Sequence, residues 1–270
     1  MIAFGVVTAY TLASLAYILS LFFRTRPWIL LAQVLFSISV ACHFLLILSL
    51  ATRLNTIPLV SPAQGVNMVI FLASAVFLVL AWRKRTASLA VFFLPPATFV
   101  LALLMPSLAQ RSDIFLNSYQ YWYPLHTLSV IGGEALFVVA FITSLVYLVH
   151  ERIIYKGTIH SPVAGLPPLS ILDSLLYACL SLGFVAITIG MILGGLWASS
   201  IDLRLSSIAP KIMAGALMWV VFAFCLHQRF AIGWRGRRTA IITLVGFCVM
   251  LVVFLVMNLA FPHAHGIGLL

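Results

Sequence analysis

Eight apolar runs, separated by short polar breaks, dominate this sequence and leave it few ways to fold. Their approximate spans are 2–23, 28–52, 64–82, 88–108, 124–149, 169–198, 210–229 and 240–261. About 20 apolar residues in a helix cross the hydrocarbon of a bilayer, and in lipid each backbone donor and acceptor must be satisfied internally. Only 7% of the residues are charged and the mean hydropathy is +1.19. A soluble domain carries about 25% charged residues, so this chain has too few to cover itself with a polar shell. The expected fold is an all-α polytopic membrane protein, a bundle of about eight transmembrane helices forming a single integral membrane domain over residues 1–270. No soluble domain fits between the runs.

Basic residues set the expected orientation. With the N-terminus outside, eleven of the fifteen fall in inner segments, among them Arg24, Arg83, Lys84, Arg152, Lys156, Arg235 and Arg238. Arg53, Arg111, Arg204 and Lys211 then lie outside. An even number of helices places the C-terminus outside as well. The first run has no preceding positive charge and reads as a retained helix, not a secretory signal. Inner arginines facing anionic lipid account for the net charge of +10 without nucleic acid. The four cysteines, Cys42, Cys179, Cys225 and Cys248, stand singly within runs, which argues against disulfides, zinc and covalent heme attachment.

Several breaks carry local signals. Pro58 and Pro62 frame an outer turn, and Pro95 with Pro96 is expected to kink the fourth helix. Ser170 to Asp173 reads as a capping box opening the sixth helix. Tyr119, Tyr121, Trp122 and Tyr123 form an outer aromatic belt, and GMILGGLW, residues 190–197, offers small residues for close helix packing.

The polar inventory excludes most chemistry. Acids number five, and only Glu134 lies clearly within a run. Proton-coupled transport and metal-dependent phosphoryl chemistry need several carboxylates, and no hydrolytic triad, phosphate loop or zinc motif stands out. Glu134 reads as helix glue through a hydrogen bond. Histidines remain. His150 and His160 belong to an inner loop, whereas His43 and His227 lie within runs and His126, His263 and His265 lie at the outer boundary. An intramembrane imidazole is costly. In an apolar bundle almost without carboxylates, paired neutral imidazoles suit heme iron, whose macrocycle buries well among Phe, Leu and Ile. By helical rise His43 lies about 22 Å past Trp28, and His227 about 9 Å before Gly233, so one heme shared by them needs tilt or a deeper second helix.

From His126 onward the chain resembles the cytochrome c assembly family of membrane proteins, the CcsA/CcmC group with its HemX-like and YpjD-like relatives. The stretches that carry the resemblance are LHTLSVIGGEALFVVAFITSLVYLVHER, LPPLSILDSLLYACLSLGFVAITIGMILGGLWA and LHQRFAIGWRGRRTAIITLVGF, with ACHFLLILSL as a looser match; the signature is strongest over 124–261. Its most specific part joins His227 and Arg229 to Gly233, Trp234, Arg235, Gly236, Arg237 and Arg238. The resemblance implies one heme b, or two. His126 and His265, with His263 as substitute, would hold an outer heme, and His43 with His227 an inner one. Family members that handle heme carry a tryptophan-rich outer segment where this chain has SSIDLRLSSIAPK, residues 199–211. That departure points to the HemX-like or YpjD-like branch.

The expectation is therefore a non-enzymatic heme-binding protein of the bacterial cytoplasmic (inner) membrane. It would serve heme handling for cytochrome c biogenesis or control of heme biosynthesis, with an assembly partner or a heme-biosynthesis enzyme at the cytoplasmic face. One alternative is a heme lyase or heme exporter subunit acting with a partner. Another, from a different class, is a non-heme transporter or membrane scaffold.

Overall fold

A computed structural model of the chain describes residues 2–23, 25–59, 61–83, 86–109, 122–157, 165–200 and 205–260, without the side chains of 200, 205–208, 210, 211 and 257–260. Its eight long helices are α1 (Ile2–Phe23), α2 (Arg26–Leu54), α3 (Pro62–Ala81), α4 (Ala90–Leu104), α5 (Trp122–Tyr155), α6 (Leu169–Ser200), α7 (Leu205–Phe230) and α8 (Arg237–Ala260). All eight are long and apolar enough to cross a membrane, α4 together with the 3-10 turns at its ends. The protein is an all-α, multi-pass membrane protein. Tyr119, Tyr121, His160, His263 and His265 lie outside the described residues.

Local chemistry places several helix ends. Pro62 opens α3, where it withholds only an N–H that has no intrahelical partner. Ser61 accepts from the Gln64 backbone N–H while the Gln64 side chain accepts from the Ser61 N–H, a reciprocal capping box. Asn55 ends α2 in the left-handed region, with its N–H on the Ala51 carbonyl. The box expected at Ser170–Asp173 does not form. Helix α6 begins at Leu169, and Asp173 spends its carboxylate elsewhere. Pro95 and Pro96 sit inside α4, which runs through both as continuous helix.

The helices pack as two groups. In the first, α1 contacts α2 and α4, and α3 contacts α2 and α4. In the second, α5 meets α6 and α8, and α7 meets α6 and α8. Helix α5 joins the groups through α3 and α4. One buried core runs through both groups; in the first it holds Tyr10, Tyr17, Phe36, Phe77, Leu94 and Leu101, all sealed from the surface. In the second, Phe137 stacks on Phe222 and Phe141 on Phe247. The antiparallel α5–α6 pair is the most extensive in the molecule. Close approach there needs glycine: a Cβ on Gly183 would stand 2.7 Å from the Phe137 ring and 3.2 Å from the Gly133 carbonyl.

Candidate functional site

His126 sits one turn into α5, against the far end of α6. Its Nδ1 lies 2.6 Å from the Gly190 carbonyl oxygen. A carbonyl only accepts, so Nδ1 carries the proton and Nε2 holds the lone pair of a neutral imidazole. Metal-ligating histidines are commonly oriented this way, by a carbonyl behind the ring. The ring approaches α6 because position 194 is glycine; a Cβ there would stand 2.7 Å from both Cε1 and Nδ1 of His126. Trp197, one turn on, lies nearly parallel to the imidazole at 11°, with centroids 6.5 Å apart. Tyr123 tilts against Trp197 and donates its hydroxyl to the Leu59 carbonyl, tying this end of α5 to the turn before α3. The stretch expected to pack helices therefore does so through Gly190 and Gly194. It also builds the back wall of the His126 site. The donor chemistry fits an axial ligand to heme iron: a neutral imidazole, half-buried, beside a flat indole.

His43 is placed differently. It is fully buried in the first group, where its Nδ1 is 3.1 Å from the Tyr10 hydroxyl and its Nε2 3.1 Å from Asn67 Oδ1. Tyr10 also donates to Ser74 at 2.8 Å, and Ser74 donates to the Ile70 carbonyl. Tyr10 and Phe71 meet the imidazole edge to face. Both ring nitrogens are thus engaged by side chains, and the network satisfies a polar group that would otherwise be costly in an apolar core. As arranged, His43 does not fit iron coordination. His227 lies on α7 with its side exposed, in a groove of about 380 Å³ between α6 and α7 lined by Tyr177, Phe184, Leu226 and Phe230. Among the described contacts it shares no neighbour with His43, and the structure does not bring the two together.

Glu134 is half-buried on α5, and among the described residues it makes no hydrogen bond or ion pair, so the expected helix glue is not seen. Packing at this depth is close and apolar: a Cβ added to Gly133 would stand 2.5 Å from Ile187 Cγ1.

Sequence reasoning missed the arrangement at the opposite end. Asp173 takes both terminal nitrogens of Arg229 at 2.8 Å each and the Gly236 N–H at 2.8 Å. A planar guanidinium gripping both carboxylate oxygens is the strong form of an ion pair. Gly233 and Gly236 adopt positive φ of 75° and 63°, which a side chain resists. A Cβ on Gly236 would also stand 2.6 Å from the Tyr147 hydroxyl. The α7–α8 loop is therefore clamped onto α5 and α6. The available signal was an aspartate and an arginine at matching ends of consecutive helices in a chain with only five acids.

Comparison with known proteins agrees with this architecture. The Cytochrome C assembly protein family matches residues 2–265. The cytochrome c biogenesis protein CcsA of Chlamydomonas reinhardtii is 31% identical over 165 residues, 61% of this chain and 46% of that protein. The CcsA proteins of Synechococcus elongatus and Nostoc punctiforme are each 40% identical. The first aligns over 42% of this chain and 36% of the relative, the second over 36% and 28%. The chain thus spans less than half the length of the curated relatives it matches. No solved structure matches it. With eight helices among the described residues long and apolar enough to cross a membrane, and a family match along nearly its whole length, the chain belongs to the cytochrome c assembly protein family.

Proposed function

We propose that this protein binds heme in the bacterial cytoplasmic membrane and handles it for cytochrome c assembly or for control of heme synthesis, without catalysis of its own. The observation that carries this reading is the 2.6 Å contact of His126 Nδ1 with the Gly190 carbonyl oxygen, which makes Nδ1 the donor and puts the lone pair of a neutral imidazole on Nε2. Heme supplies an iron that accepts such lone pairs along its axis. By the family resemblance, His265, or His263 beside it, would supply the second ligand. Trp197 offers a flat apolar surface next to the site. The His126 end and both termini lie outside in this reading, and the arginine-rich α7–α8 loop lies inside, following the charge bias. A second heme at His43 and His227 would require His43 to release Asn67 or Tyr10.

The test is an absorption spectrum of the full-length protein, purified in detergent and supplied with hemin. Expected are a Soret band and sharp reduced α and β bands. Replacing His126 and His265 together by alanine removes most of the signal, while His43→Ala leaves it. A preparation that stays colourless after supplementation overturns the reading.

The name shared by the relatives, cytochrome c biogenesis protein, favours a second reading: a synthetase or exporter subunit acting with a partner. Deletion separates the two. Loss of c-type cytochromes supports the partnered role, and altered porphyrin precursors with normal cytochromes support heme control.

A further inference from the structure

The most specific motif in the sequence, the arginine-rich turn between α7 and α8, has no part in the His126 site. It borders an open surface cleft of about 610 Å³ lined by Tyr147, Glu151, Trp234, Arg235, Arg237 and Arg238, among others. We propose that this cleft is a phosphate-binding site, filled by the headgroup of an anionic phospholipid; the proposal is independent of the heme reading.

The charges decide the class of ligand. Asp173 is committed to Arg229 and the Gly236 N–H, and Glu151 pairs with Arg237 at 3.1 Å. Among the described residues neither Arg235 nor Arg238 forms an ion pair with a carboxylate, and the Asp173 charge that reaches Arg235 is already gripped by Arg229. Arg238 stands over the Trp234 ring, 5.8 Å from its centroid, which holds the guanidinium at the cleft wall. The wall is also where α8 begins, so the positive end of its dipole adds to the field. Two guanidiniums without an ion pair, beside the start of a helix, suit a compact anion with several acceptor oxygens.

The backbone of the turn is tied down before any ligand arrives. Gly233 and Gly236 hold the turn in the left-handed region. The Trp234 N–H donates to the Gln228 carbonyl at 3.1 Å, and Thr239 donates its hydroxyl to the Trp234 carbonyl at 3.0 Å. A turn already held in place lowers the ordering cost of binding to that of the two arginine side chains. The surroundings decide the source of the phosphate. Ile232, which lines the cleft, is 57% exposed, and Phe230 just before it is 73% exposed. A bare phosphate has no use for that apolar flank, whereas acyl chains cover it.

The test uses full-length protein in nanodiscs of phosphatidylcholine containing phosphatidylglycerol, with retained lipid counted by native mass spectrometry. Arg235→Gln with Arg238→Gln should lower retention of phosphatidylglycerol roughly tenfold or more. Arg152→Gln with Lys156→Gln removes the same charge from the exposed end of α5 and should leave retention unchanged. Both doubles keep the Asp173–Arg229 clamp, and an unchanged thermal unfolding curve shows that each is folded. Equal loss in both pairs means diffuse attraction and overturns the site, as does no loss in either. Inorganic phosphate titrated into lipid-free protein separates the sources. Retention undisturbed by millimolar phosphate supports the lipid headgroup. Phosphate binding that vanishes in the Arg235/Arg238 pair and displaces the lipid supports the same cradle with a soluble occupant.

Discussion

At the scale of residues, one missing methyl group sets the His126 site. Gly194→Ala would put a Cβ 2.7 Å from the imidazole, and the ring must then leave the Gly190 carbonyl. The expected outcome is loss of the fixed tautomer. Hemin affinity falls about tenfold, the value of one good hydrogen bond to an orienting partner. The midpoint potential of any heme that still binds should shift as well. Ala substituted at Gly195, which faces open space, is the matched control and should change neither. Titration by absorbance with redox potentiometry reads both, and an unaltered Gly194→Ala protein would sink the positioning role. His126 was legible in the sequence as an imidazole at the edge of an apolar run. Its tautomer was not, because the carbonyl that sets it is 64 residues away. The His43 network escaped for the same reason: Tyr10, Asn67 and Ser74 look like ordinary polar residues until three helices bring them together.

At the scale of elements, the clamp between α6 and the α7–α8 loop carries the clearest energetic consequence. Its side chains are only 11% and 18% exposed, so removing one charge leaves the other poorly solvated. Asp173→Asn should cost about 1–3 kcal/mol after discounting for partial solvation, read as a lower unfolding temperature in detergent. Arg229→Lys keeps the charge but loses the two-pronged geometry, so it should fall between wild type and Asp173→Asn. Equal stability of all three proteins would show the clamp to be inert. Helix positions were largely readable from hydropathy, and α1 coincides with its expected span. The misses are at ends. Helix α5 continues to Tyr155 through His150, Glu151 and Arg152, because hydropathy marks where lipid stops while hydrogen bonding marks where the helix stops. The sequence suggests a capping box before α6 and the structure forms one before α3, since Ser-x-x-Asp and Ser-x-x-Gln look alike in sequence and only the helix start tells them apart.

At the scale of the whole molecule, the packing order of the helices could not be read from the sequence. A face turned to lipid is as apolar as a face turned to the core: Phe4 and Phe22 are 76% and 70% exposed while Phe36 is fully buried. The charge bias does make a testable statement about sidedness. In a cysteine-free background, single cysteines at Lys156 and Ser199 mark opposite ends of the bundle. A membrane-impermeant maleimide added to intact cells should label position 199 and spare position 156. The reverse pattern would turn the molecule over and put His126 on the cytoplasmic side. Helix α5 belongs to one group by its partners α6 and α8 and to the other by α3 and α4. It works as a keystone: a flaw in any outlying helix stays within its own arch, whereas a flaw in this one loosens both.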